Sequence, residues 1–200
     1  MPGQVKAQAI PRPGTMIVVV GPSGAGKDSV IDFALRRLGR DVSLHLVQRA
    51  ITRPTDAGGE DHECVSPEAF DARLYADGFA VAWEAHGLKY GIPRDTVERI
   101  GAGQTLIANG SRAALAQFRL VFPRLVIVQI VASAEVLAQR LVARGRESEA
   151  NIRLRLARQA PEIVDKDVVV IDNSGPLEIA GTQFADLVAA LAFGVTVKSG

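Results

Sequence analysis

The segment Gly21-Pro22-Ser23-Gly24-Ala25-Gly26-Lys27-Asp28 constrains this chain more than any other. It follows a continuous apolar run, Met16 to Val20, and precedes residues 28–38, where Val30, Ile31, Ala34, Leu35 and Leu38 recur at helical spacing. G-x-x-x-x-G-K between a buried strand and a helix is the context of a phosphate-binding loop. Glycines let backbone N–H groups turn inward around phosphate oxygens, and the helix N-terminus adds its positive end. Lys27 is expected to reach the terminal phosphates of a nucleoside triphosphate as a point charge and to act in catalysis. The expected nucleotide site is therefore Gly21, Pro22, Ser23, Gly24, Ala25, Gly26, Lys27, Asp28 and Ser29.

One position departs from the rule. The residue after the lysine is normally Ser or Thr, whose hydroxyl binds Mg²⁺; here it is Asp28, followed by Ser29. A carboxylate serves a hard cation at least as well, directly or through a water, which makes Asp28 the expected metal ligand. The alternative is that Asp28 only caps the positive end of the helix.

Around this loop the chain alternates apolar strands with helical patterns, as in α/β proteins with a parallel central sheet. Strands are expected at 16–20, 42–47, 104–108, 125–131 and 168–171, and a small antiparallel piece at 79–90 around a Gly87 turn. Helices are expected at 28–38, 67–74, 94–100, 113–120, 134–144, 150–159 and 177–191, with loop over 52–61. Two hundred residues, 48% hydrophobic and 22% charged, fit one such domain with a small inserted lobe. Residues 1–14 read as a mobile leader, 15–192 as the domain and 193–200 as a tail.

Composition excludes several classes of function. A net charge of +1 leaves no cationic arm, so neither nucleic acid nor an anionic membrane is an expected partner. The single cysteine, Cys64, excludes an internal disulfide framework, and His45, His62 and His86 lack metal-ligand spacing. No apolar run approaches a membrane span, and the leader lacks the apolar core of a signal peptide, so a cytoplasmic protein is expected. Of 23 basic residues 18 are arginine. That bias suits phosphate oxygens, or it reflects genomic base composition; position has to decide.

Several segments together resemble the guanylate kinase family, and within it the ribose 1,5-bisphosphate phosphokinase branch. The loop has the family's GPSGxGK form; Ile51-Thr52-Arg53-Pro54 is similar to a degraded TTRxPR segment. Cys64-Val65-Ser66-Pro67-Glu68-Ala69-Phe70 resembles FVSxxxF, His86-Gly87-Leu88-Lys89-Tyr90-Gly91 matches HGxxYG, and Arg140-Leu141-Val142-Ala143-Arg144-Gly145 matches the lid form RLxxRG. The resemblance covers about residues 15–191. It implies a three-layer P-loop fold like that of nucleoside monophosphate kinases, with an acceptor lobe at about 49–92 and a helical lid at about 140–158.

The departures bear on the acceptor. The second arginine of TTRxPR is missing, His62 stands where the family has a phosphate-holding tyrosine, and the guanine-reading glutamate falls near Val81. A guanine edge without its carboxylate would lose discrimination of several kcal/mol. Asn109-Gly110-Ser111-Arg112 resembles the NGSR stretch of the ribose bisphosphate branch. The resemblance thus implies a small phosphorylated sugar as acceptor, with ATP and Mg²⁺, and transfer of the γ-phosphoryl to the 1-phosphate to give 5-phosphoribosyl 1-diphosphate. Arg49, Arg53, Tyr90 and Arg112 are the expected acceptor-binding residues, each otherwise a solvated or packing residue. Arg140, Arg144 and Arg155 match family lid positions and are expected to neutralise the transferred charge. Asn173 is expected either to contact adenine or to sit in a plain turn. The oligomeric state stays open, a homodimer included. The rival readings are a guanylate kinase, a gluconate-type kinase with Asp56 or Asp61 as base, and a non-catalytic interaction module.

Overall fold

A computed structural model describes residues 13–39, 43–54, 61–143 and 168–194. Five parallel strands, β2 (Leu44–Leu46), β7 (Thr105–Asn109), β1 (Met16–Val20), β8 (Leu125–Val131) and β9 (Val168–Asp172), lie side by side in that order. β1 is central, and all five of its residues are fully buried. A strand covered on both faces has no use for alternation, which is why its sequence is uniformly apolar.

On one face Ile17, Val19, Val128 and Ile130 pack under α1 (Lys27–Leu38), α5 (Ala134–Ala143) and α6 (Leu177–Phe193), through Val30, Ala34, Leu137, Phe184 and Val188. On the other, Met16, Val18, Val20, Leu106 and Ile127 meet α4 (Leu115–Val121) and a second sheet. The result is the expected three layers around a parallel sheet.

The second sheet has the order β4 (His62–Cys64), β3 (Arg49–Ile51), β6 (Leu88–Pro93) and β5 (Phe79–Ala85). A register shift between Phe79 and Val81 breaks the alternation along β5. Val81 and Trp83 point into the core shared with the central sheet, whereas Phe79 joins Ala50 and Phe70 under α2 (Pro67–Tyr75). His86 (φ 52°) and Gly87 (φ 74°) make the tight reversal between β5 and β6, where both residues need positive φ. Ser66 caps α2, its Oγ accepting from the Ala69 N–H at 3.1 Å.

Several expectations change. The strand expected at 42–47 is β2, only Leu44–Leu46, and two strands that were not expected, β3 and β4, pair in parallel on either side of the loop expected at 52–61. Each is three residues long and carries polar side chains, too little for a period-2 signal. The helix expected at 113–120 starts as a 3₁₀ turn, Arg112–Ala114, before α4. α3 (Asp95–Gly101) follows β6 as expected. Pro13 and Gly14, expected in the leader, are tied to the domain: the Gly14 N–H donates to Ile100 O at 2.7 Å, and Arg124 donates to Pro13 O at 2.9 Å. The helix expected at 150–159 lies outside the described residues.

Candidate active site

The loop between β1 and α1 leaves the carboxyl edge of the central sheet, where open α/β sheets bind ligands. Gly26 ends it in the left-handed region (φ 86°) and caps α1. Glycine is required there twice over: a Cβ on Gly26 would lie 2.5 Å from Nδ2 of Asn173. The Lys27 ammonium folds back over the loop, donating to Gly21 O at 3.0 Å and Pro22 O at 3.2 Å.

Two residues distant in sequence hold this loop from outside. Asn173, just past β9, is 2% exposed; its Nδ2 donates to Ala25 O at 2.7 Å and its backbone N–H to Val131 O at 2.8 Å. Arg140, on α5, donates to Asn173 O at 2.9 Å and Ala25 O at 3.3 Å, and reaches Gly24 O at 3.5 Å. Across a trans peptide the C=O and N–H point oppositely, so anchoring Ala25 O on the outside turns the Gly26 N–H inward. Asn173 thus packs against the phosphate loop through Nδ2, and the Arg140 guanidinium grips carbonyls of the loop and of Asn173. Arg144 and Arg155 lie outside the described residues.

At the start of α1, Asp28 is half-buried and Ser29 is exposed. The Asp28 Oδ1 accepts from Nδ2 of Asn109 at 2.7 Å, across 81 residues of sequence. Asn109 is the last residue of β7, 7% exposed, in register with Val19. Sequence reading passed over this contact, because strand and helix meet there only through the parallel β1–β7 pairing.

Two of the residues expected to bind the acceptor, Arg49 and Tyr90, lie on the face of the second sheet that looks toward the central one. Ile51 pairs with Tyr90 and Tyr90 with Trp83, which puts Arg49, two residues before Ile51, on the same face. The Trp83 and Tyr90 rings stack 5.3 Å apart at 6°. The Arg49 guanidinium lies 5.1 Å from the Tyr90 centroid and 5.7 Å from that of Trp83. Stacking engages the face of a guanidinium, whereas oxygen acceptors bind its rim, so the two contacts are compatible.

Arg53 follows β3 and is oriented by His62, a residue the family comparison had marked only as a substitution. His62 Nε2 lies 3.1 Å from Arg53 O, which can only accept, so Nε2 carries the proton and Nδ1 accepts from the guanidinium at 3.4 Å. Arg53 Nε is buried without a hydrogen-bond partner among the described residues. Thr52 ties the adjoining strands, its Oγ1 accepting from the Lys89 N–H at 2.9 Å. The Lys89 side chain is turned to α2, where hydrogen bonding to Asp71, 2.7 Å at Oδ2, holds its ammonium above the usual range. Val81 is 2% exposed in the core. Arg112 sits half-buried in the 3₁₀ turn beyond β7.

Comparison with known proteins points the same way. The family model described as guanylate kinase matches residues 13–190. A ribose 1,5-bisphosphate phosphokinase PhnN from Agrobacterium fabrum is 51% identical over 167 residues, 83% of this chain and 91% of the relative. Its counterpart from Rhizobium etli is 52% identical over 169 residues, 84% of this chain and 85% of the relative. Among solved structures, the guanylate kinase of Anaplasma phagocytophilum aligns with a TM-score of 0.67 at 17% identity, covering 92% of this chain and 89% of that one. At that identity it is a likeness of fold.

Proposed function

The chain belongs to the guanylate kinase family, in its ribose 1,5-bisphosphate phosphokinase branch, and from that premise we propose that it phosphorylates ribose 1,5-bisphosphate at the 1-phosphate. ATP is the donor and 5-phospho-α-D-ribose 1-diphosphate and ADP are the products. One observation carries the choice of acceptor. The second sheet presents stacked Arg49 and His62-oriented Arg53, while the position expected to read a guanine edge is Val81, buried in the core.

In the reaction, an oxygen of the 1-phosphate forms a bond to the γ-phosphorus as the bond to the β–γ bridging oxygen breaks. The attacking oxygen is already ionised at neutral pH, so no general base is required. Catalysis then rests on holding two polyanions in line and neutralising their charge. The loop N–H groups and Lys27 hold the triphosphate; Arg140 and Asn173 keep the loop in shape. Arg49, Arg53, Tyr90 and Arg112 take the acceptor phosphates, and the buried Arg53 Nε is a donor that a phosphate oxygen would satisfy. Arg144 and Arg155 supply further positive charge.

Mg²⁺ fits this donor set. Among the described residues no three His, Cys, Asp or Glu gather as a cage. That suits a cation held by one or two carboxylates together with substrate phosphates. Asp28 would hold it, and the ion would screen the charge between donor and acceptor phosphates. The substrates are small anions, and no helix among the described residues is long and apolar enough to cross a membrane.

The test is an acceptor panel with ATP and Mg²⁺, reading the phosphorylated product. Losing one charged hydrogen-bond partner costs roughly 2–4 kcal/mol, about 30- to 1000-fold. kcat/KM for ribose 1,5-bisphosphate is therefore expected to exceed that for GMP by at least about two orders of magnitude. Comparable rates, or a preference for GMP, would overturn the assignment.

A further inference from the structure

Phosphate-loop enzymes commonly divide the work at their metal between two positions. The residue after the lysine supplies a hydroxyl, and a strand beside the loop supplies the acid. Here both positions carry the opposite chemistry. The carboxylate is on the helix, as Asp28, and the strand end offers a neutral amide, Asn109. They are in direct contact, with Nδ2 of Asn109 donating to Oδ1 of Asp28 at 2.7 Å. Asn109 is 7% exposed and fixed by the β1–β7 register, so its amide is a rigid reference for a side chain that is only half-buried. Among the described residues Oδ2 of Asp28 takes no hydrogen bond.

We propose that Asn109 is a positioning residue for metal-dependent triphosphate binding, and that the Asp28–Asn109 pair exchanges the usual acid and neutral positions between helix and strand. Engaging one carboxylate oxygen fixes the rotamer of Asp28 and leaves the other for the cation. An aspartate at position 109 would set two carboxylates against each other, so the amide at 109 is required by the acid at 28. Partners that orient a metal-binding group typically matter 10- to 100-fold in metal affinity. The inference rests on the phosphotransferase reading above.

The experiment measures ATP binding by calorimetry as Mg²⁺ is varied, with no acceptor present. Asn109→Leu, which keeps the heavy-atom count and branching and removes the donor, is expected to raise the Mg²⁺ concentration for half-maximal ATP binding about 10- to 100-fold. Asp28→Asn is expected to cost at least as much. The exchanged variant Asp28→Asn/Asn109→Asp keeps one carboxylate, one amide and the hydrogen bond between them, and its Mg²⁺ dependence is expected to return to within about threefold of wild type. A pair that only caps the helix would leave Mg²⁺ dependence unmoved in Asp28→Asn, which would overturn the proposal. An exchanged variant no better than Asp28→Asn would overturn it too, even if Asn109→Leu fails to fold. The acceptor panel separates the two readings. Product from ribose 1,5-bisphosphate with an unmoved Mg²⁺ dependence sinks only the pair, whereas GMP preference with the expected shifts sinks only the acceptor.

Discussion

Lys27 donates to carbonyls of its own loop, Gly21 O and Pro22 O. The loop's shape comes instead from Gly26, Asn173 and Arg140, so Lys27→Ala is expected to fold with little change in thermal midpoint. Its kcat/KM is expected to fall by at least about 100-fold, the scale of losing one charge-stabilising donor. Steady-state kinetics beside thermal denaturation check this, and full activity in the folded variant would refute the loop mechanism. At the same scale, His62 shows how a neutral imidazole can aim a cation. Its protonated Nε2 is anchored on Arg53 O, leaving Nδ1 to receive the guanidinium.

Among the elements, the site depends on α5 and the end of β9 closing on the phosphate loop. Arg140 reaches Gly24 O, Ala25 O and Asn173 O with one planar fork. A lysine keeps the charge but offers a single flexible ammonium, which cannot span three carbonyls. Arg140→Lys and Arg140→Ala are therefore expected to lose ATP affinity about equally, roughly 10- to 100-fold, since hydrogen bonds from a charged donor contribute about 1.5–3 kcal/mol. Equilibrium ATP binding decides between roles. A lysine variant close to wild type would return Arg140 to direct neutralisation of phosphate.

For the whole molecule, the central sheet separates two cores. α1 and α6 close one, while α4 and the second sheet close the other. Where α1 meets α6, Gly181 of α6 leaves room for the ring of Phe33 of α1, since a Cβ there would meet the ring at 2.3 Å. Gly181→Val overpacks that contact at a cost of about 1–3 kcal/mol. A fall in Tm between about 2 and 12 °C is expected. Because the loop is held by Arg140 and Asn173, away from that contact, kcat/KM at 25 °C is expected to stay within about threefold. A larger kinetic loss would mean that the helix layer, and not only the loop's own anchors, sets the geometry of the site.

The phosphate loop, the buried strands and the order of helices were legible in the sequence because each is a local pattern: Gly spacing, apolar runs, helical periodicity. The HGxxYG segment likewise announced the hairpin at His86 and Gly87, where two positive φ angles are needed. β3 and β4 were not legible, since three-residue strands bearing Arg49 and His62 have no period to read and exist only by pairing. Nor were the partners of the site residues. Asn109 and Asp28 are 81 residues apart, and Asn173 and Ala25 are 148 apart. Residue types dictated the chemistry available: a lysine, a carboxylate and many guanidiniums around a loop that cradles phosphate. Which oxygen each group faces is decided by strand register and helix packing, because hydrogen bonds are directional and only the folded backbone fixes where donors point.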